Sequence, residues 1–162
     1  MSKQTIQSTG CCEPFDPTSW DNKKIVWKNK LFVKDHIISF LHIPLNFGSK
    51  VTQNMRLIEK ANVTCQEQLM LTDETSLWGA DIYIAVSQNV PAAQMSQISG
   101  TFVTKVFEGP YEKIGEWVKE MKQFVQTNYG GFQKMLFWYT TCPKCAKTYG
   151  KNYVVIFAQI DD

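Results

Sequence analysis

The stretch "SGTFVTKVFEGPYEKIGEWVKEM", residues 99–121, sets a long β-rich run directly before an amphipathic helix. β-Branched and aromatic residues dominate its first part, which suits an extended strand. Gly109-Pro110 ends the run, and proline, with its fixed φ and missing N–H, belongs in the first turn of a helix. Beyond it Ile114, Trp117, Val118, Met121 and Val125 recur at helical spacing and mark one buried stripe. After the break at Gly130-Gly131, "KMLFWYT" (134–140) and "YGKNYVVIFA" (149–158) read as two more strands.

The same order is legible upstream. "HIISFLHI" (36–43) reads as a strand and "NFGSKVTQNMRLIEKA" (46–61) as a helix with Phe47, Val51, Met55 and Ile58 along one face. "QLMLTDE" (68–74) and "WGADIYIAV" (78–86) then follow as two strands joined by a short link. Trp78-Gly79-Ala80-Asp81-Ile82 stands opposite Tyr149-Gly150-Lys151-Asn152-Tyr153, and Leu69-Met70-Leu71 opposite Met135-Leu136-Phe137. The chain therefore reads as an internal repeat, with an N-terminal arm (1–34) before one domain (35–162) made of module one, about 35–90, and module two, about 95–162.

Each helix needs a surface against which to bury its apolar stripe. The economical arrangement is an α+β fold, a mostly antiparallel sheet with two helices on one face and a ligand groove on the other. Alternation along the strands assigns Ile82, Ile84 and Val86, and likewise Tyr153, Val155 and Phe157, to the helix side. Asp81, Tyr83 and Asn152 then face the groove.

With 162 residues, 44% of them hydrophobic, the chain can bury a core of its own. A net charge of +2 from scattered side chains supplies no electrostatic footprint for nucleic acid or an anionic membrane. MSKQTIQSTG at the start lacks the apolar core of a signal peptide, and no apolar run reaches the roughly 18–20 residues of a membrane span. The expectation is a cytoplasmic protein acting on a small molecule.

Asp81 is unusual as a carboxylate among apolar residues of a central strand, where burial demands a partner and favours general acid or base chemistry. Glu108, at the end of the long strand, is the second catalytic candidate; a helix-start acid is the competing reading. Trp78, Tyr83, Tyr111 and Trp138 offer aromatic faces to a planar or cationic ligand, with Asn152 and His42 as polar partners. Trp138 is preferred to its neighbour Tyr139 because it aligns with the polar Thr72. Only two histidines, His36 and His42, occur, and there is no G-x-S-x-G elbow.

"YTTCPKCAKTYG" (139–150) places Cys142 and Cys145 in an enlarged second hairpin loop, and Cys11 and Cys12 lie near the N-terminus. Together these four thiols are candidate ligands for a structural zinc that would pin arm to loop; unmetallated thiols are the alternative. No organic cofactor is called for.

The strand-Gly-Pro-Tyr-helix segment quoted first resembles the second module of the GyrI-like small-molecule-binding family. Through "WKNKLFVKD", "FLHIPLNFG", "LWGADIYIAV" and "CPKCAKTYG" the chain is similar to stand-alone members labelled hydrolases, a likeness spanning residues 27–160. The resemblance implies tandem strand-helix-strand-strand modules around a groove for bulky, flat, hydrophobic or cationic compounds. Some stand-alone members hydrolyse strained, cyclopropane-bearing electrophiles, so the resemblance implies binding with hydrolysis as an extension. A dedicated hydrolase and a protein-interaction domain are the other readings.

Overall fold

A computed structural model of the chain describes residues 15–40, 43–44, 46–76, 78–140 and 152–161. Its elements are β1 (Lys23–Phe40), β2 (Ile43–Pro44), α1 (Phe47–Lys60), β3 (Cys65–Ser76), β4 (Gly79–Val86), β5 (Met95–Glu108), α2 (Ile114–Tyr129), β6 (Lys134–Tyr139) and β7 (Tyr153–Ile160). Single 3₁₀ turns at Pro17–Ser19 and Tyr111–Lys113 lead into β1 and α2.

Six of the strands close on themselves. The order β1-β4-β3-β6-β7-β5 returns to β1 through a β1–β5 pairing, every pairing is antiparallel, and the two-residue β2 adds only to the end of β1. This corrects the expected open sheet with both helices on one face and a groove on the other. The helices pack on the outside of a barrel, and the opposite face of the sheet is its interior.

Closure comes from the length of β1. Phe32–Ile38 pairs with β4, whereas Lys23–Val33 pairs with β5, so residues 23–34, expected in the arm, form the seam. A register shift between Trp27 and Lys30, with Asn29 at φ 52°, bends the strand as a bulge does. The Asn29 N–H donates to Ser99 Oγ at 2.8 Å, which fixes the bulge to β5. Beside it, Gly100 adopts φ +148°, and a Cβ there would lie 2.6 Å from the Gln159 amide.

Both faces of the closing strands are apolar, and that is what a barrel satisfies. On β7, Val154, Ile156 and Ala158 pack outward with Trp117, Met121 and Val125 of α2, while Val155 and Phe157 point inward beside Phe32, Leu71, Phe102 and Trp138. The β7 alternation is thus reversed from expectation, whereas Ile82, Ile84 and Val86 of β4 do face α1 and Tyr83 faces in. An open sheet would leave the inner rings in water, at about 1.5–3 kcal/mol for each large side chain. Small barrels are filled by side chains, and this one is filled by aromatics such as Phe32, Phe102 and Phe157 interleaved with aliphatics such as Leu69, Leu71 and Leu136.

One barrel end is stoppered by the segment before β1. Phe15 and Trp20 set their rings 5.4 and 5.0 Å from Trp138, and Trp20 lies 5.8 Å from Phe157. Thr104 Oγ1 donates to the Trp20 carbonyl, and Asp21 Oδ1 accepts the Val106 N–H at 3.0 Å.

On α1, Val51 and Ile58 face the barrel, but Met55 is exposed and the buried Asn54 takes its place. The Phe47 side chain lies outside the described residues. Asn54 Nδ2 donates to Asp35 Oδ2 at 2.7 Å and to the Lys50 carbonyl at 2.8 Å, and Lys50 Nζ stands 3.5 Å from Asp35 Oδ1. Burial acts to raise the Asp35 pKa, yet the hydrogen bonds from Asn54 and the His36 backbone, with the Lys50 charge, outweigh it and hold the carboxyl below its ordinary value. A carboxyl with a depressed folded-state pKa stabilises the fold fully above its unfolded value and loses that contribution as pH falls through the folded value. Urea midpoints measured from pH 7 down to 3 should therefore fall less steeply for Asp35→Asn than for the parent chain; equal slopes would remove Asp35 from the acid response.

Candidate active site

Alternation along β1 puts Lys34, His36 and Ile38 on the same side of the strand as the inward-facing Phe32. They lie towards the end of β1, and so at the barrel mouth opposite the Phe15–Trp20 stopper. The register sets Lys34 against Tyr83, His36 against Asp81 and Ile38 against Gly79, and on the next strand Asp73 against Asp81. Residues distant in sequence thereby form one polar row.

At its centre His36 Nδ1 is 2.9 Å from Asp81 Oδ1. A carboxylate can only accept, so Nδ1 is the donor in this contact, and in the neutral ring Nε2 then carries the lone pair. Among the described residues Nε2 has no protein partner, and the imidazole is 60% exposed against 26% for Asp81. Lys34 Nζ lies 3.8 Å from Asp81 Oδ2 and 5.6 Å from the centre of the Tyr83 ring. Lys134 Nζ pairs with Asp73 Oδ2 at 3.2 Å.

Gly79 makes room for the imidazole. A Cβ added there would sit 2.5 Å from His36 Nε2 and 2.7 Å from Cε1, closer than any real Cβ contact. Gly79→Ala should therefore swing the ring off Asp81 with little effect on the barrel core. The signature is loss of the hydrogen-bonded Nδ1–H signal in low-temperature NMR spectra at an unchanged melting temperature; retention of that signal would show that the ring finds another route.

Of the expected residues Asp81 lies at this mouth; Trp78 precedes Gly79 in the adjoining turn, and its carbonyl accepts the Ser39 N–H, which sets it opposite Ser39 and not on the side of β1 that carries His36. The other expected residues that are described do not join Asp81 there. Glu108 ends β5 opposite Tyr153, at the stoppered end, where Asn152 Nδ2 donates to the Gly109 carbonyl at 2.8 Å. Tyr83 and Trp138 are buried inside the barrel. The Tyr111 side chain, His42, Cys11, Cys12, Cys142 and Cys145 lie outside the described residues. Among the described residues no group of three or more His, Cys, Asp and Glu is placed to hold a metal. His36, Lys34 and Gly79 were missed as site residues; the one local signal was a pair of polar residues two apart on an apolar strand.

A family model described as bacterial hydrolase matches residues 2–160. The chain belongs to the bacterial hydrolase family. No curated protein matches it. Membership in the bacterial hydrolase family rests on nearly the whole chain and so includes every strand of the barrel and the His36–Asp81 pair. No helix among the described residues is long and apolar enough to cross a membrane.

Proposed function

We propose that this bacterial hydrolase family member cleaves a small electrophilic substrate at the barrel mouth, with His36 as general base and Asp81 as the residue that orients it. The observation that carries the reading is the 2.9 Å His36 Nδ1–Asp81 Oδ1 contact beside a glycine that accommodates the ring. Water gives a proton to His36 Nε2 as its oxygen bonds to the electrophilic carbon. The bond from that carbon to the leaving group breaks, and the imidazolium returns the proton to the departing atom. Substrate and water are fully accounted for in the products.

Lys34 supplies positive charge next to the pair, where negative charge builds on the substrate. The likeness to stand-alone GyrI-like proteins supports a small molecule rather than a macromolecule as substrate, with carboxylic esters and strained three-membered rings as the electrophiles to try. Glu108, at the other end of the barrel, is set aside as the water-positioning residue on geometric grounds. The test is mass spectrometry of 4-nitrophenyl esters and cyclopropane electrophiles incubated with the protein. Release of 4-nitrophenol and the free acid from an ester, or gain of one water by a ring-opened cyclopropane, lost in His36→Asn, supports the reading; no product, or product formation indifferent to His36, overturns it.

A further inference from the structure

Below the rim of the mouth, Tyr83 carries a polar tip on a ring that is otherwise enclosed. The residue is 6% exposed and belongs to the cluster that fills the barrel, with its ring edge-on to Phe32 at 6.1 Å. Its hydroxyl makes no hydrogen bond to the protein, yet no buried side-chain polar atom among the described residues is left unpaired. The Tyr83 oxygen is therefore not sealed in, and it is the part of the side chain that meets solvent. Lys34 is the register partner of Tyr83, with Nζ 5.6 Å from the ring centre and 3.8 Å from Asp81 Oδ2, and Asp81 is two residues away on the same side of β4. The stopper rings at the far end pack on Trp138, Tyr153 and Phe157 instead. The hydroxyl thus opens on the floor of the mouth, beneath the His36–Asp81 pair. It adds nothing to the packing of the interior, which a phenylalanine ring would fill equally well.

We propose that the Tyr83 hydroxyl donates a hydrogen bond to the carbonyl oxygen of an acyl substrate and stabilises the oxyanion that forms as water adds. The proposal rests on the hydrolase reading for the attack itself and narrows the substrate to a carboxylic ester. Water bonds to the carbonyl carbon as His36 Nε2 takes its proton, and the π pair of the carbonyl moves onto oxygen. There the Tyr83 O–H donates without giving up its proton. The pair returns as the bond to the alcohol oxygen breaks, and the imidazolium protonates that leaving oxygen. A donor aimed at developing charge acts on kcat more than on substrate binding.

Tyr83→Phe removes only the oxygen, and because that oxygen holds no protein group the melting temperature should be unchanged. Turnover of 4-nitrophenyl acetate should fall by about 10²–10³-fold, the loss typical of one oxyanion donor, with KM held. The thionoester O-4-nitrophenyl thioacetate puts sulfur, a weak acceptor, in place of the carbonyl oxygen. Its turnover should be slow in the parent chain and little changed in Tyr83→Phe, a response that a packing role would not give. Independently of turnover, NMR titration with 4-nitrophenyl methylphosphonate, a stable tetrahedral anion, should show binding weakened by about tenfold or more in the variant, as for loss of a charge-assisted hydrogen bond. Unchanged ester kcat, equal losses on the oxygen and sulfur esters, or phosphonate affinity that is absent or indifferent to Tyr83 overturns the donor. The parent chain alone supplies a further check, since an oxygen-to-sulfur kcat ratio no greater than that of the uncatalysed reaction also overturns it. Phosphonate binding that depends on Tyr83 without His36-dependent ester cleavage supports the donor and overturns the hydrolase reading instead.

Discussion

His36→Asn should lower ester turnover by about 10²–10⁴-fold, the range that a positioned general base contributes. Asparagine at this position can still hydrogen-bond Asp81, but it has no basic nitrogen to take a proton from water. Because the imidazole is mostly exposed, the loss should come without a change in melting temperature. Asp81→Asn is the companion variant. Its amide no longer demands a proton on Nδ1, so the ring samples the tautomer in which Nε2 is protonated and cannot act as base. Turnover should fall in kcat with KM held, because neither change removes a substrate contact. Glu108→Gln is the control from the stoppered end and should retain turnover. Full activity in His36→Asn, or loss confined to Glu108→Gln, would move the chemistry to the other end of the barrel.

The largest stability effect is expected at Phe157. Its side chain is fully buried, with the Trp27 ring at 5.6 Å and the Trp20 ring at 5.8 Å. Truncation to alanine should cost about 3–5 kcal/mol through lost transfer energy and the cavity left behind. For a chain of this length that corresponds to a fall in Tm of roughly 10 °C. The informative measurement is a pair of double-mutant cycles. Phe157→Ala and Trp27→Ala touch the same interior cluster and should couple by about 0.5–3 kcal/mol, whereas Phe157→Ala and Trp117→Ala sit on opposite faces of the barrel wall and should add. Coupling to Trp117 instead of Trp27 would restore the open sheet in which Phe157 faces α2.

The same contrast marks how far local pattern reaches. α2 was legible because Trp117, Met121 and Val125 alternate with exposed residues at helical spacing, and those three are its buried side chains. On α1 the pattern misplaced Met55, since Asn54 is buried through a carboxylate on β1 that spacing along the helix does not reveal. On β4 the alternation of Ile82, Ile84 and Val86 with Asp81 and Tyr83 separated the two faces correctly, because one end of the strand carries a charge. β7 carries none. Val154, Val155, Ile156 and Phe157 are all buried, and a continuous apolar run does not say which face meets α2.

The sequence by itself determined the helices, most of the strands and Asp81 as a carboxylate needing a partner, since propensity, turn chemistry and periodicity act over a few neighbouring residues. Only the tertiary structure decided that β1 extends back to Lys23 and closes on β5, and which basic group would meet Asp81. His36 lies 45 residues from Asp81, and the two meet because β1 and β4 pair in a register set by burying Phe32 and Tyr83 inside the barrel. The burial of those rings is a property of the closed sheet as a whole, and a one-residue slip would have turned His36 to the other face.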